Sequence, residues 1–411
     1  MIKATTLILV SLYFCGLSFS AGAAHPVKSA SAPAKVGDEA WKARMQLMLS
    51  DVVQLLPFAF DEVKFTDQKN ESTIETALKG LATHSAELKQ HTSHMDRAKG
   101  LKIDPSFPFI ADSFEREIAQ AQQSFNDPNT RSESQIILRS ALAKCTMCHS
   151  QSAVGPTLKL KTFNSTLKNL PLSDRLMALT VTRQFEEALI AFQQYAKEAK
   201  GVKPKTVPFD KNVRALLAVA VRVKRDPLAA GRVISAAIDS GAGSTMLQTD
   251  LASWKTAVAT WQQEKPPDLN SDQMLFSEAK KLTNRSQDSQ RTRESYVSDA
   301  VSYLRASGYL HDLLSNYPES SLRAESYILL ASIYESLPGF AIWDLGDEYL
   351  GACIEENPHS NNGERCFSLY NDSIVAGYTG SSGTHLPTAV KDHLSHMKSI
   401  SQKNTPTESP K

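Results

Sequence analysis

Residues Cys145-Thr146-Met147-Cys148-His149 decide how the rest of this 411-residue chain is interpreted. Two cysteines separated by two residues and followed at once by a histidine form the attachment signature of c-type haem. Two intervening residues on a helical turn let both thiols reach the vinyl groups on one porphyrin edge. The histidine then supplies an imidazole nitrogen as an axial iron ligand. A bare Cys-x-x-Cys pair is also typical of zinc sites and thiol redox chemistry, so the histidine is what favours haem.

The N-terminal segment predicts export. A positive charge at Lys3 precedes an apolar run from Leu7 to Phe19, and Ala21 to Ala24 supply small residues for cleavage. This pattern predicts a secretory signal peptide at residues 1–24 and a periplasmic mature protein. An uncleaved anchor is the alternative, although the apolar run is short for a bilayer span. Export agrees with the haem motif, because covalent haem attachment takes place outside the bacterial cytoplasm.

The net charge and the cysteine content limit the partners and the cross-links that the chain can be expected to have. The net charge of +1 gives no indication of a nucleic-acid or lipid-surface partner, and no later stretch predicts a membrane span. Beyond the signal peptide and the haem motif, two cysteines remain, Cys353 and Cys366. In an oxidising compartment they are predicted to form a structural disulfide. Two separate buried thiols and a redox switch are the alternatives.

The mature chain begins with a predicted flexible linker, residues 25–37, and continues with a predicted haem domain, residues 38–155. Four amphipathic helical patterns fill that domain. The first runs from Trp41 to Leu56 with Pro57 as its expected stop, and the fourth carries the Cys145 to His149 motif at its C-terminal end.

A haem motif at the end of a fourth helix resembles the cytochrome c-prime and b-type four-helix cytochrome superfamily. The resemblance covers about residues 38–152, and its specific part is the motif itself. It implies an all-α fold with a four-helix-bundle haem domain holding one covalently attached haem c. Cys145 and Cys148 would carry the haem, and His149 would be its axial ligand.

The sixth iron ligand is expected from the start of the first helix. In an up-down-up-down bundle, that end lies level with the end of the fourth helix. Met45 is the first candidate, since b-type relatives use a methionine near the start of helix one, and Met48 is the second. Ordinary core packing of both methionines is the alternative, as is an open sixth site of the c-prime kind. The remaining candidates, ranked below the methionines, are His84, His91 and His94.

A second fold interpretation stays open. Val154-Gly155-Pro156-Thr157-Leu158 resembles the segment that follows haem in the common cytochrome c fold. That fold would make Met177 or Met246 the distal ligand. A helix stop before the next domain explains the same Gly-Pro pair.

The pattern after the haem domain predicts one helical hairpin after another. The expected all-α fold is therefore a four-helix bundle followed by an α-solenoid. The expected parts are a helical hairpin domain at residues 156–265, helical repeats at 266–383, and a short helix with a disordered tail at 384–411. Tyr317-Pro318 recurs as Asn357-Pro358 at an offset of 40 residues, with Tyr327 and Phe367 following at the same offset. Over about residues 290–380 this resembles tetratricopeptide repeats, with an insertion between the paired helices.

Four functions are compatible with these features. The favoured one is an electron-transfer cytochrome whose concave helical repeats dock a redox partner protein. A five-coordinate haem sensor or gas binder is the main alternative. A peroxidase-like enzyme ranks last, because one haem motif and no catalytic constellation are present. A scaffold that haem merely stabilises is the fourth. The expectation is therefore a protein that is not an enzyme.

Overall fold

The computed structural model describes residues 36–94, 104, 106–151, 167–201, 206–291, 300–337, 339–340 and 345–402. Helices make up about 80% of these residues, and the described strands form one hairpin of two residues per strand. The all-α class predicted from the sequence is confirmed. The predicted signal peptide, most of the linker and the tail from residue 403 lie outside the described residues.

The first part of the structure contains five helices. Their bounds are α1 Val36–Ala59, α2 Glu62–Thr66, α3 Glu71–His94, α4 Phe107–Asn126 and α5 Arg131–His149, with a 3₁₀ turn at Gln68–Asn70 before α3.

Eleven further helices follow in the described part of the chain. Their bounds are α6 Leu172–Val181, α7 Phe185–Ala199, α8 Thr206–Ala218, α9 Pro227–Ser240, α10 Thr245–Gln263, α11 Asp272–Arg291, α12 Ala300–Asn316, α13 Arg323–Glu335, α14 Leu345–Glu356, α15 Asn361–Gly377 and α16 Thr388–Ser401. A π-helical segment, Val219–Val223, continues α8. The antiparallel strands β1 (Thr379–Gly380) and β2 (Gly383–Thr384) lie before α16.

The helices α1, α3, α4 and α5 pack on one another in sequence, and α5 also contacts α1. At one end, Gln135 near the start of α5 donates to the main-chain oxygen of Phe58 near the end of α1, at 2.8 Å. At the other end, Arg44 of α1 pairs with Glu87 of α3. Neighbours in the sequence therefore run antiparallel, and the end of α5 lies level with the start of α1. These contacts support the four-helix-bundle interpretation, which stays a prediction.

The apolar periodicity of α4 explains how the four helices pack. Its buried residues recur every three or four positions along one face, which is the pattern of a helix with a single core-facing side. Phe125 at the end of this stripe meets Phe65 of α2 edge to face, with ring centroids 5.4 Å apart. The short helix α2, which the sequence did not predict, therefore closes that end of the core.

Two predicted boundaries of α1 are wrong. The helix begins at Val36, inside the predicted linker of residues 25–37, and it includes Pro57, ending at Ala59. Pro57 removes one i to i−4 hydrogen bond, but its position in the last turn leaves the rest of the helix intact.

The helices from α6 onward pack mostly as consecutive pairs, among them α6 with α7, α11 with α12, and α14 with α15. The two related turns at Tyr317 and Asn357 precede α13 and α15, and Tyr327 of α13 is fully buried. The predicted insertion corresponds to the connection between α13 and α14. The tetratricopeptide interpretation stays a prediction.

A disulfide joins Cys353 of α14 to Cys366 of α15, with Cα atoms 6.1 Å apart. Both residues are fully buried. The structure therefore contains the cross-link predicted from the sequence, between two neighbouring helices.

None of the helices in the described ranges is long and apolar enough to cross a bilayer.

Candidate functional site

An apolar cavity lies where α1, α4, α5 and the end of α6 meet. Its empty volume is about 600 Å³, including the part that opens to solvent. The lining residues are Met45, Met48, Leu49 and Val52 of α1, Phe107, Ile110, Ala111 and Phe114 of α4, Lys144, Cys145, Cys148 and His149 of α5, and Val181 of α6.

Both cysteines of the motif line this cavity from the last turn and a half of α5. They are free cysteines, not joined to each other by a disulfide. Burial and the neighbouring Cys148 sulfur raise the pKa of Cys145 to about 12. Burial and the charge of Asp104 raise the pKa of Cys148 to about 12. Both side chains are therefore neutral thiols at neutral pH.

His149 is the last residue of α5, and its ring lines the same cavity. Its Nδ1 atom is hydrogen-bonded to the main-chain oxygen of Val181. A carbonyl oxygen only accepts, so Nδ1 carries the proton and Nε2 keeps the lone pair that a metal ligand needs. Burial and the nearby charge of Arg183 lower the pKa of His149 to about 4, so the imidazole is neutral at neutral pH.

The two predicted sixth-ligand candidates are brought to the motif. Met45 and Met48 line the cavity together with Cys145, Cys148 and His149. Met48 is 7% exposed, and Met45 is partly buried against the same core. A thioether beside an axial histidine is a donor that haem iron accepts in cytochromes. The geometry keeps both methionines as candidates.

Of the predicted histidine alternatives, His84 is the one whose side chain the structure describes, and it is not brought to the cavity. His84 forms an ion pair with Asp51 of α1, with Nδ1 and Oδ2 2.7 Å apart, and it is not among the cavity-lining residues. The side chains of His91 and His94 lie outside the described residues.

The methionines of the alternative fold interpretation lie elsewhere. Met177 is partly buried in the core around α6, and Met246 is 67% exposed at the start of α10. Neither one lines the cavity. The Val154 to Leu158 segment, on which that interpretation depends, falls outside the described residues.

Three residues of the site were missed by sequence reasoning. Val181 accepts the His149 hydrogen bond, and Arg183 donates from Nη1 to the main-chain oxygen of His149 at 2.7 Å. Lys144 lines the cavity while its ammonium group contacts Glu117 at 2.5 Å. Val181 and Arg183 lie more than 30 residues beyond the motif, so periodicity within one helix gave no signal for them.

A buried polar network extends from the motif into the second half of the chain. Gln151 donates to the Ser106 hydroxyl at 3.1 Å, and Ser106 donates to Asp104 from its main-chain nitrogen and from its hydroxyl. The carboxylate of Asp104 also meets Nδ1 of His311 at 2.5 Å and the Tyr349 hydroxyl at 2.9 Å. These bonds connect the start of α4 to α12 and α14.

Charge pairing fixes the state of that carboxylate. Burial by itself raises the pKa of Asp104, but the charge and hydrogen bond of His311, with the Ser106 donors, lower it to about 2. Asp104 is therefore an anion over the whole physiological range, buried between the two parts of the structure.

The residues that line the cavity fit a c-type haem. Two neutral thiols stand three positions apart on one helix, a neutral imidazole has Nε2 free of its proton, and the apolar walls would keep water away from a bound porphyrin. Across the described ranges, this cavity included, no group of three or more His, Cys, Asp or Glu side chains is placed to hold a metal ion by itself. Haem iron takes four nitrogens from the porphyrin, so one or two protein ligands are sufficient.

Comparison with protein-family models, with curated proteins and with solved structures finds no match to this chain.

Proposed function

We propose that this chain is an exported monohaem c-type cytochrome that binds haem covalently and transfers single electrons. The observation that carries the proposal is the shared lining of one cavity: Cys145, Cys148 and His149 meet Met45 and Met48 there. All five residues were predicted from the sequence, three from the motif and the two methionines from helix order in a four-helix bundle. Their convergence on an apolar cavity is independent support.

Each residue has a distinct part. The thiols of Cys145 and Cys148 would hold the haem covalently, and Nε2 of His149 would be the nitrogen offered to its iron. The Val181 carbonyl holds the imidazole in the required tautomer. The bound haem supplies an iron centre that gains or loses one electron. Phe107, Ile110 and Phe114 line the cavity and would exclude water from the bound group.

A thioether from Met45 or Met48 would make the iron six-coordinate and suited to electron exchange without ligand change. The helical region from α6 onward would then dock a redox partner protein in the periplasm, since stacked helical pairs present extended surfaces for protein segments. An iron with an open sixth position would instead favour the haem sensor or gas-binding alternative.

Absorption spectra of the periplasmically expressed protein test the proposal. The oxidised and reduced forms should have the low-spin spectra of histidine–methionine ligation. Met45→Ala or Met48→Ala should convert the haem to a high-spin form. Met177→Ala is the matched control, because this methionine is also partly buried but does not line the cavity. High-spin haem in the wild type, unchanged by either cavity variant, would overturn electron transfer and favour the sensor alternative.

A further inference from the structure

The residues that hold His149 come from the helical region that follows α5. Val181 and Arg183 belong to the end of α6 and to the turn that leads into α7. Nδ1 of His149 donates to the Val181 oxygen, and the His149 oxygen accepts from Nη1 of Arg183 at 2.7 Å. The side chain and the main chain of the histidine are therefore both attached to one three-residue segment.

That segment is itself held in place by main-chain hydrogen bonds. The nitrogens of Thr182, Arg183 and Gln184 donate to carbonyl oxygens of α6 at 2.8–3.1 Å. The hydroxyl of Thr182 donates to the Ala178 oxygen at 2.8 Å. Arg183 adopts a left-handed backbone conformation, with φ 58°. An L-residue adopts this conformation rarely, and only where the surrounding structure enforces it.

The guanidinium of Arg183 is a buried positive charge at the candidate haem site. The residue is 8% exposed, and its guanidinium carbon lies 5.1 Å from the centroid of the Phe185 ring. Its positive charge acts to lower the pKa of both the Cys148 thiol and the His149 imidazole. The opposing charge near Cys148 is Asp104, which is paired with His311.

We infer that Arg183 is a positioning residue that fixes His149 and raises the midpoint potential of the iron that His149 would bind. The inference rests on the proposed cytochrome function. Reduction adds one negative charge at the iron, and a buried positive charge stabilises that reduced state because water and salt screen it weakly. The helical region from α6 onward thereby becomes part of the haem site, in addition to any docking role.

Redox titration of the full-length, haem-loaded protein tests the inference. The Arg183→Gln substitution removes the charge, and Arg183→Lys keeps it. Arg183→Gly removes the side chain at a positive φ that glycine adopts freely, so this variant avoids a folding defect from backbone strain. Arg175→Gln is the matched control, since Arg175 of α6 also donates to main-chain oxygens, but to those of Leu167 and Lys168 and not to that of His149.

At the wild-type midpoint potential, Arg183→Gln and Arg183→Gly should raise the ferric-to-ferrous ratio by roughly tenfold, the order expected for one weakly screened charge. Arg183→Lys should stay nearer to the wild type, and Arg175→Gln should equal it. Loss of histidine ligation in Arg183→Gly alone would also support positioning. Unchanged potentials in Arg183→Gln and Arg183→Gly would overturn the inference and leave the cytochrome proposal standing. A wild type without covalent haem would overturn both.

Discussion

Nδ1 of His149 donates its hydrogen to the main-chain oxygen of Val181, 32 residues further along the chain. The contact crosses the packing between α5 and α6, and His149 lines a cavity that both motif cysteines also line. A histidine oriented in this way by a carbonyl acceptor is prepared for metal ligation before any iron is bound.

Acid should weaken the contact between the two parts of the structure through Asp104. Its pKa in the folded chain is about 2, against 3.8 in an unfolded one. Because the folded value is the lower one, this carboxylate contributes its full stabilisation above about pH 4 and loses it as the pH falls toward 2. The shift corresponds to about 2 kcal/mol of unfolding free energy.

Urea unfolding at several pH values between 2 and 6 measures this effect. Asp104→Asn should lower stability at pH 6 and flatten the loss between pH 4 and pH 2. Asp112→Asn is a suitable control, because Asp112 makes an i,i+4 pair with the largely exposed Arg116 and should change the acid dependence little. A variant at position 104 with the same acid dependence as the wild type would contradict this account of the network.

The disulfide between Cys353 and Cys366 should stabilise the helical region without affecting the haem. It closes a loop with a sequence separation of 13 residues, for which the expected contribution is about 3 kcal/mol. The double Cys353→Ser, Cys366→Ser variant should therefore unfold at a lower urea concentration. Its visible spectrum should match that of the wild type.

Reduction of the wild-type protein serves as the control for that experiment. It should lower the unfolding midpoint as the serine pair does, and it should leave the serine variant unchanged. Equal midpoints for the oxidised wild type and the serine variant would show that the cross-link contributes nothing to stability.

Substitutions at two phenylalanines of α4 should distinguish an effect on folding stability from an effect on the surroundings of the haem. Phe125 is 2% exposed, packs on Phe65 and lies outside the cavity lining. Phe125→Ala should lower the unfolding free energy by about 3–5 kcal/mol and leave the haem spectrum unchanged. Phe114 lines the cavity and is 4% exposed. Phe114→Ala should shift the haem spectrum, because it opens the apolar wall to water.

Denaturant unfolding and visible spectra of the two variants test this separation. Unchanged spectra in both would indicate that Phe114 does not border the haem. The Phe125→Ala spectrum is recorded at a denaturant concentration where this variant is folded. A spectral shift there would contradict the placement of Phe125 outside the cavity.

The sequence predicted those parts of the site that lie within one helix or follow from helix order. The Cys145 to His149 motif, the level of Met45 and Met48, and the neighbouring helices of Cys353 and Cys366 all came from spacing along the chain. The predicted end of α1 at Pro57 is wrong, because a proline in the last turn of a helix destabilises it little. The short helix α2 was not predicted, since five residues are too few to show a hydrophobic periodicity.

Contacts between distant segments could not be predicted in this way. Val181 and Arg183 reach His149 across a helix interface, and Asp104 meets His311 at a separation of 207 residues. Hydrophobic periodicity identifies which face of a helix is buried, but not which polar group of another helix meets it there. A single sequence carries no signal for such pairs.

The central claim is that Cys145 and Cys148 hold one covalent haem, and an intact mass under denaturing conditions tests it most directly. The protein would be exported from cells that attach haem to a control c-type cytochrome. The wild type should have the mass of the chain without residues 1–24 plus one haem, and the Cys145→Ala, Cys148→Ala variant should have the mass of the polypeptide alone. A wild-type mass without haem, from cells whose control cytochrome is fully loaded, would contradict the account.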